Sequence, residues 1–233
     1  MRPTPLDPAA DLPASADDVL VLAHRAALYQ TVARGLTHAL NNAAQALALG
    51  GAAGPGQTWA SERLTLMARV LERMARPEPD ERGPVIVRDV LASVVDWQRL
   101  QTGLPAPEVK LECAADLAAT HARGERVHQA MLGLVTQFKI ECGRHAGPFV
   151  LSARNGHGGL AITLTSQAAP ASGGPADGAR TPVEAMLAAG ARVAAILVAR
   201  DGGSLEVEGS AEIGRRCEVL LPTWAVTPGR TAG

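Results

Sequence analysis

Aromatic residues are scarce, at 3% of 233 residues: two Phe, one Tyr and three Trp. A core with so few rings rests on alanine and leucine, which favours helices packed closely on small side chains. The three cysteines, Cys113, Cys142 and Cys217, are too widely spaced for a zinc site or a disulfide framework. They are expected to be reduced and packed. No dense Lys/Arg patch stands out and the formal net charge is −1, so no nucleic-acid footprint is visible. The Pro/Asp/Ala-rich start has no basic opening followed by an apolar run, as a signal peptide would. No run of eighteen apolar residues occurs, so no membrane-spanning helix is expected, and the cytoplasm is the expected location. What the chain does have is 47% hydrophobic residues, enough for the core of one large or two small domains.

The chain divides into two parts, 16–78 and 84–223. Residues 1–15 read as a frayed leader. From Asp17 to about Leu49 no proline interrupts a helical pattern. GGAAGPGQ (50–57) ends it, and a second helix follows from Trp59 to about Ala75. PEPDERGP (77–84) is the next break. VIV (85–87) is extended, 88–101 has helical spacing, and VKLEC (109–113) alternates as a strand. A helix over 125–141 carries Val127, Met131, Leu134, Val135 and Phe138 on its apolar stripe. FVLSARNGHGGLAITLTS (149–166) reads as a hairpin, with glycines where a tight turn needs positive φ. The composition of 168–182 cannot hold a core. Residues 183–200 form one apolar helix, and SLEVEGS and RRCEVLLP complete the sheet. The expected fold is α+β: an N-terminal helical hairpin, then an α/β sandwich with helices on one face of a mixed sheet.

The stretch THALNNAAQAL (37–47) holds the candidate chemistry. At 100° per residue, Leu28, Val32, Leu36, Ala39, Leu40, Ala43 and Leu47 form the expected buried stripe. His38 lies roughly 200° from Leu36 and Leu40, within about 40° of Thr31, Arg34, Asn42 and Gln45. That is a polar strip with an imidazole in its middle and Asn42 one turn on. A neutral imidazole offers a free nitrogen for attack or proton transfer. Two helices alone bury an apolar stripe poorly. A C₂ dimer would turn two hairpins into a four-helix bundle, with both His38 rings outside and open to a partner. His121 and His128 lack companion ligands, so no metal is expected. His157 sits in a plain turn, and Trp97 is expected in the core.

His38-Ala39-Leu40-Asn41-Asn42-Ala43 resembles the phosphoacceptor box of sensor histidine kinases, commonly His-Glu-Leu-Asn-Asn-Pro. PVIVRDVLASVV resembles the entry into their ATP-binding domain. GERVHQAMLGLV (124–135) resembles their N-box helix, and DGGSLEVEGSAEIGRRCEVLLP (201–222) their closing hairpin. The resemblance implies a dimerisation and phosphotransfer hairpin followed by a Bergerat-type ATPase fold. It places His38 as the phosphoacceptor, and Asn42 where related proteins orient a water. The departures are specific. Ala39 replaces the acid beside the histidine. Gly133 and Gln137 replace the two N-box asparagines, one a magnesium ligand. SQAAPASGG lacks the adenine-binding aspartate, and the phosphate loop shrinks to residues around Gly190.

By this resemblance the chain is a histidine phosphotransfer protein with a degenerate ATPase-like domain. It would relay a phosphoryl group through His38 to or from a response-regulator receiver aspartate, with no nucleotide cofactor and no autokinase activity. One alternative is a non-catalytic pseudokinase scaffold that binds a signalling partner. Another is a phosphatase-like regulator of a receiver, working through Asn42.

Overall fold

The computed structural model describes residues 15–49, 55–75, 83–102, 104, 107–142, 147–166, 181–210 and 214–224. The leader, most of the two breaks, and nearly all of the 168–182 segment lie outside these. In chain order the elements are α1 (Ala16–Leu49), α2 (Pro55–Ala75), β1 (Gly83–Val85), α3 (Val87–Gln98), β2 (Val109–Cys113), β3 (Thr120–Ala122) and α4 (Gly124–Cys142). There follow β4 (Phe149–Gly156), β5 (Gly159–Ser166), α5 (Pro182–Leu187), α6 (Gly190–Arg200), β6 (Ser204–Ser210) and β7 (Gly214–Leu221).

The main sheet has the order β2-β4-β5-β7-β6. Strand β2 runs parallel to β4, and the remaining pairs are antiparallel. A mixed sheet is therefore found, as expected. Period-two alternation sends Phe149, Leu151 and Ala153 of β4, Leu160, Ile162 and Leu164 of β5, and Cys217, Val219 and Leu221 of β7 into the core. Helix α4 supplies the opposing layer, with Val127, Met131, Leu134, Val135 and Phe138 all buried. Phe138 meets Phe149 edge-on, with ring centroids 6.4 Å apart. Burial pushes the Cys217 thiol up to about 12, as suits a packed cysteine. Within RNGHGG the turn is only His157-Gly158, with Gly158 at φ 92°, while Arg154, Asn155, Gly156 and Gly159 pair in the β4–β5 ladder.

Three features differ from the sequence reading. A small second sheet pairs β1 with β3, and THA is too short to show a period. The apolar segment after Thr181 is two helices, α5 and α6, rather than one. Taken together, 182–200 is long and apolar enough to cross a membrane. Here it packs on α1, α4 and β6. A capping box starts α5: Thr181 Oγ1 accepts from the Glu184 amide at 3.2 Å, and Glu184 Oε2 accepts from the Thr181 amide at 2.9 Å.

The third difference concerns α1, which buries different faces along its length. Toward its start it packs on the α/β layer. Gln129 Nε2 donates to the Val21 carbonyl at 3.0 Å, and Arg200 pairs with Asp18 at 2.7 Å. Thr31, placed on the polar strip by sequence, is buried and accepts from Gln101 at 3.5 Å. Helix α2 packs beside α1, and Ala39 and Ala43 are buried. Leu40 and Leu47, expected in the buried stripe, are 53% and 47% exposed in the single chain. Trp97 is buried as expected, between Tyr29 (5.3 Å) and His128 (4.8 Å).

Candidate functional site

His38 stands exposed on α1. Asn42, one turn on, places its Nδ2 3.1 Å from His38 Nε2. As drawn, the amide donates to Nε2, which leaves the ring proton on Nδ1. The neighbouring Ala39 is 3% exposed and faces the core. A carboxylate at that position would have to be buried among apolar groups, away from water. Asn42 is the side chain that hydrogen-bonds the ring.

The α/β layer reaches α1 just before this point. A Cβ on Gly35 would fall 1.3 Å from the Leu100 carbonyl oxygen, so only glycine lets the end of α3 lie against the helix. His38 follows less than one turn later. Arg63 of α2 donates to the Arg99 carbonyl at 3.2 Å, closing the same junction from the other helix.

The residues that the resemblance assigns to magnesium and phosphate are brought together, but as packing. Gly133 of α4 and Gly190 of α6 touch backbone to backbone: a Cβ on Gly190 would meet the Gly133 oxygen at 2.3 Å. Gln137 Oε1 accepts from the Ala191 amide at 2.6 Å and so satisfies the start of α6. The notch above Gly133 holds the ring of His24 from α1, whose Cε1 would lie 2.6 Å from a Cβ there.

His24 is fully buried, and neither ring nitrogen has a hydrogen-bond partner among the described residues. Burial lowers its pKa to about 4, so the ring is neutral in the folded chain. Sequence reasoning passed over it. Its spacing from Val21, Leu28 and Val32 is the signal that places it on a buried stripe.

Two of the other described histidines, His128 and His121, have structural neighbours. His128 is buried against Trp97 and lies 3.3 Å from Ser93 Oγ. His121 packs on Trp224 at 4.9 Å, and His157 is exposed in its turn. Asp201 of the DGG turn is buried. It accepts from the Arg123 amide at 3.0 Å and pairs with Arg126 at 3.2 Å, tying this turn to the start of α4. No group of three His, Cys, Asp or Glu suited to a metal occurs among the described residues.

No family model and no curated protein sequence matches the chain. Solved structures do. A bacterial phosphotransferase solved at 1.7 Å superposes with a TM-score of 0.50 at 14% identity, over 89% of this chain and 98% of that one. Full-length ShkA in complex with AMPPNP gives 0.46 at 17% identity, over 85% of this chain and 46% of that one, so this chain spans under half of ShkA. A histidine kinase from Burkholderia phymatum STM815 gives 0.47 at 15% identity, over 83% and 98%. The likeness to the phosphotransferase establishes the fold.

Proposed function

We propose that the chain is a histidine phosphotransfer protein of two-component signalling. It takes a phosphoryl group from the aspartyl phosphate of one receiver domain and passes it to the aspartate of another. The observation that carries this reading is an exposed His38 ring whose Nε2 is addressed by the Asn42 amide at 3.1 Å. The fold shared with a bacterial phosphotransferase supports it.

The chemistry asks little of the site. As Asn42 swings aside, the Nε2 lone pair attacks phosphorus. The N–P bond forms as the P–O bond to the aspartyl carboxylate breaks, and that carboxylate leaves with the electron pair. The Nδ1 proton stays where it is, so no base has to remove one. Ala39 in place of an acid is compatible with a donor that is already an activated acyl phosphate. In the second half, the receiving carboxylate attacks phosphorus and returns the lone pair to Nε2. The contact of Gly133, Gln137 and Gly190 under His24 supports a role without ATP, because an asparagine at 133 would collide with His24.

The protein is expected to work as a dimer. Leu40 and Leu47 on α1 and Leu64 and Leu71 on α2 are exposed at seven-residue spacing, as the seam of a four-helix bundle requires. The combined L40E and L71E substitutions should give a monomer by light scattering. Transfer is tested by incubating the protein with phosphorylated receiver domains and following labelled phosphate. Label should arrive on the wild type and not on H38A. Receiver binding with no label on this chain would replace the reading by a scaffold. Asn42-dependent loss of receiver label, with none arriving here, would replace it by a phosphatase.

A further inference from the structure

A second polar site lies away from His38, where the end of α3, the second half of α4 and the start of β2 meet. A cleft of about 260 Å³ is lined there by Val95, Gln98, Arg99, Pro107, Val109 and Lys139, among others. Lys139 is 2% exposed. Its ammonium has one hydrogen bond among the described residues, a long one of 3.4 Å to the Gln98 carbonyl, and no ion pair. Gln98 is 4% exposed, and its Oε1 has no partner among the described residues. Its amide nitrogen is used, donating to Thr136 Oγ1 at 3.3 Å.

Capping the last carbonyls of α3 would engage one N–H of the lysine. It leaves two N–H groups and a buried amide oxygen unmatched at one cleft. A buried charge without a counter-ion is costly, and so is an unmatched buried acceptor. Burial lowers the Lys139 pKa to about 8, which still leaves the amine mostly protonated at neutral pH. Residues 103, 105 and 106 between α3 and β2 are Gly, Pro and Ala, which bring no carboxylate. Glu108 also lines the cleft, but it is exposed and forms no ion pair with Lys139 among the described residues, and Arg99 lies within 3.8 Å of Asp96. The unmet requirements are thus an anion for Lys139, a hydroxyl donor for Gln98 Oε1, and apolar substance against Val95, Pro107 and Val109. A phosphate dianion would meet one buried cation and apolar walls, and would be poorly neutralised.

We infer that this cleft binds a short-chain hydroxycarboxylate, with the carboxylate on Lys139, the hydroxyl donating to Gln98 Oε1, and the alkyl body against Val95 and Val109. The site is independent of the phosphotransfer reading. The test uses the full chain and three probes: 3-hydroxybutyrate, butyrate and inorganic phosphate. Calorimetric titration should rank affinity in that order, and K139M should weaken 3-hydroxybutyrate about tenfold or more. V95F, which fills the cleft and leaves the charge alone, should abolish binding. In the unmutated protein, 3-hydroxybutyrate should shield Lys139 from reductive methylation, read by peptide mass spectrometry. No binding by either carboxylate, equal binding of phosphate, or an affinity unchanged in K139M would overturn the assignment.

Discussion

His24 and His38 sit two heptads apart on one helix, in opposite surroundings. His24 is sealed against Gly133 with both nitrogens unmatched among the described residues, and burial holds it neutral. His38 is in solvent, with one nitrogen held by Asn42. The same side chain is a packing piece in one place and a candidate nucleophile in the other. The two rings lie within about 40° of each other around the helix, so what separates them is how far along α1 the α/β layer extends. The start of α1 is tied to that layer through Asp18, Val21 and Thr31, whereas the His38 ring is left open.

Substitutions can break this contrast, the largest effect first. H38A should abolish phosphoryl uptake while changing unfolding free energy by no more than about 0.5 kcal/mol, as for an exposed position. Phosphate-affinity gels and urea titration check the two halves. G35A should destabilise by several kcal/mol, roughly 3 or more, because its Cβ would overlap the Leu100 carbonyl. G133A should cost about 1–3 kcal/mol by pushing on the His24 ring, and pairing it with H24A should recover part of that loss in a double-mutant cycle.

Acid should act on His24. The folded pKa of His24, about 4, lies below the unfolded value of 6.5, so its contribution is complete above pH 6.5 and is lost as pH falls toward 4. The loss is about 3 kcal/mol at most. Burial and the nearby Arg73 also lower His128, which adds its own slope in the same direction. H24L should flatten the His24 share of the stability–pH curve in urea unfolding between pH 7 and pH 4.5. The smallest effect is on N42A: the transfer rate should rise, by no more than about tenfold, because attack no longer has to break the hydrogen bond that covers the Nε2 lone pair, with stability unchanged. A rate unchanged in N42A would remove Asn42 from the proposal.

Much of the fold was legible because its signals are local. VKLEC and the 149–166 hairpin alternate cleanly, and the α4 stripe runs through five apolar residues that are all buried. The pairing of His38 with Asn42 followed from one-turn spacing alone. The errors sit where burial depends on distant partners. Thr31 looked polar and solvent-facing, yet its neighbour is Gln101, from the end of α3. Leu40 and Leu47 are open in the single chain, and the cover proposed for them is a second copy, which no contact within one chain displays. The division between α5 and α6 escaped notice because it depends on Gly190 meeting Gly133, a contact between segments far apart in sequence.

The close seating of Leu100 on Gly35 makes α1 a shaft with a fixed phase. One residue inserted between His24 and His38 would turn the imidazole by about 100° relative to the sheet and swing it toward or away from α2. Seven inserted residues would nearly restore its bearing, but would carry it about 10 Å along the axis. The spacing of the two histidines thus acts as a gauge. It fixes both the direction and the height of the His38 ring, and so the place at which the proposed receiver would have to dock.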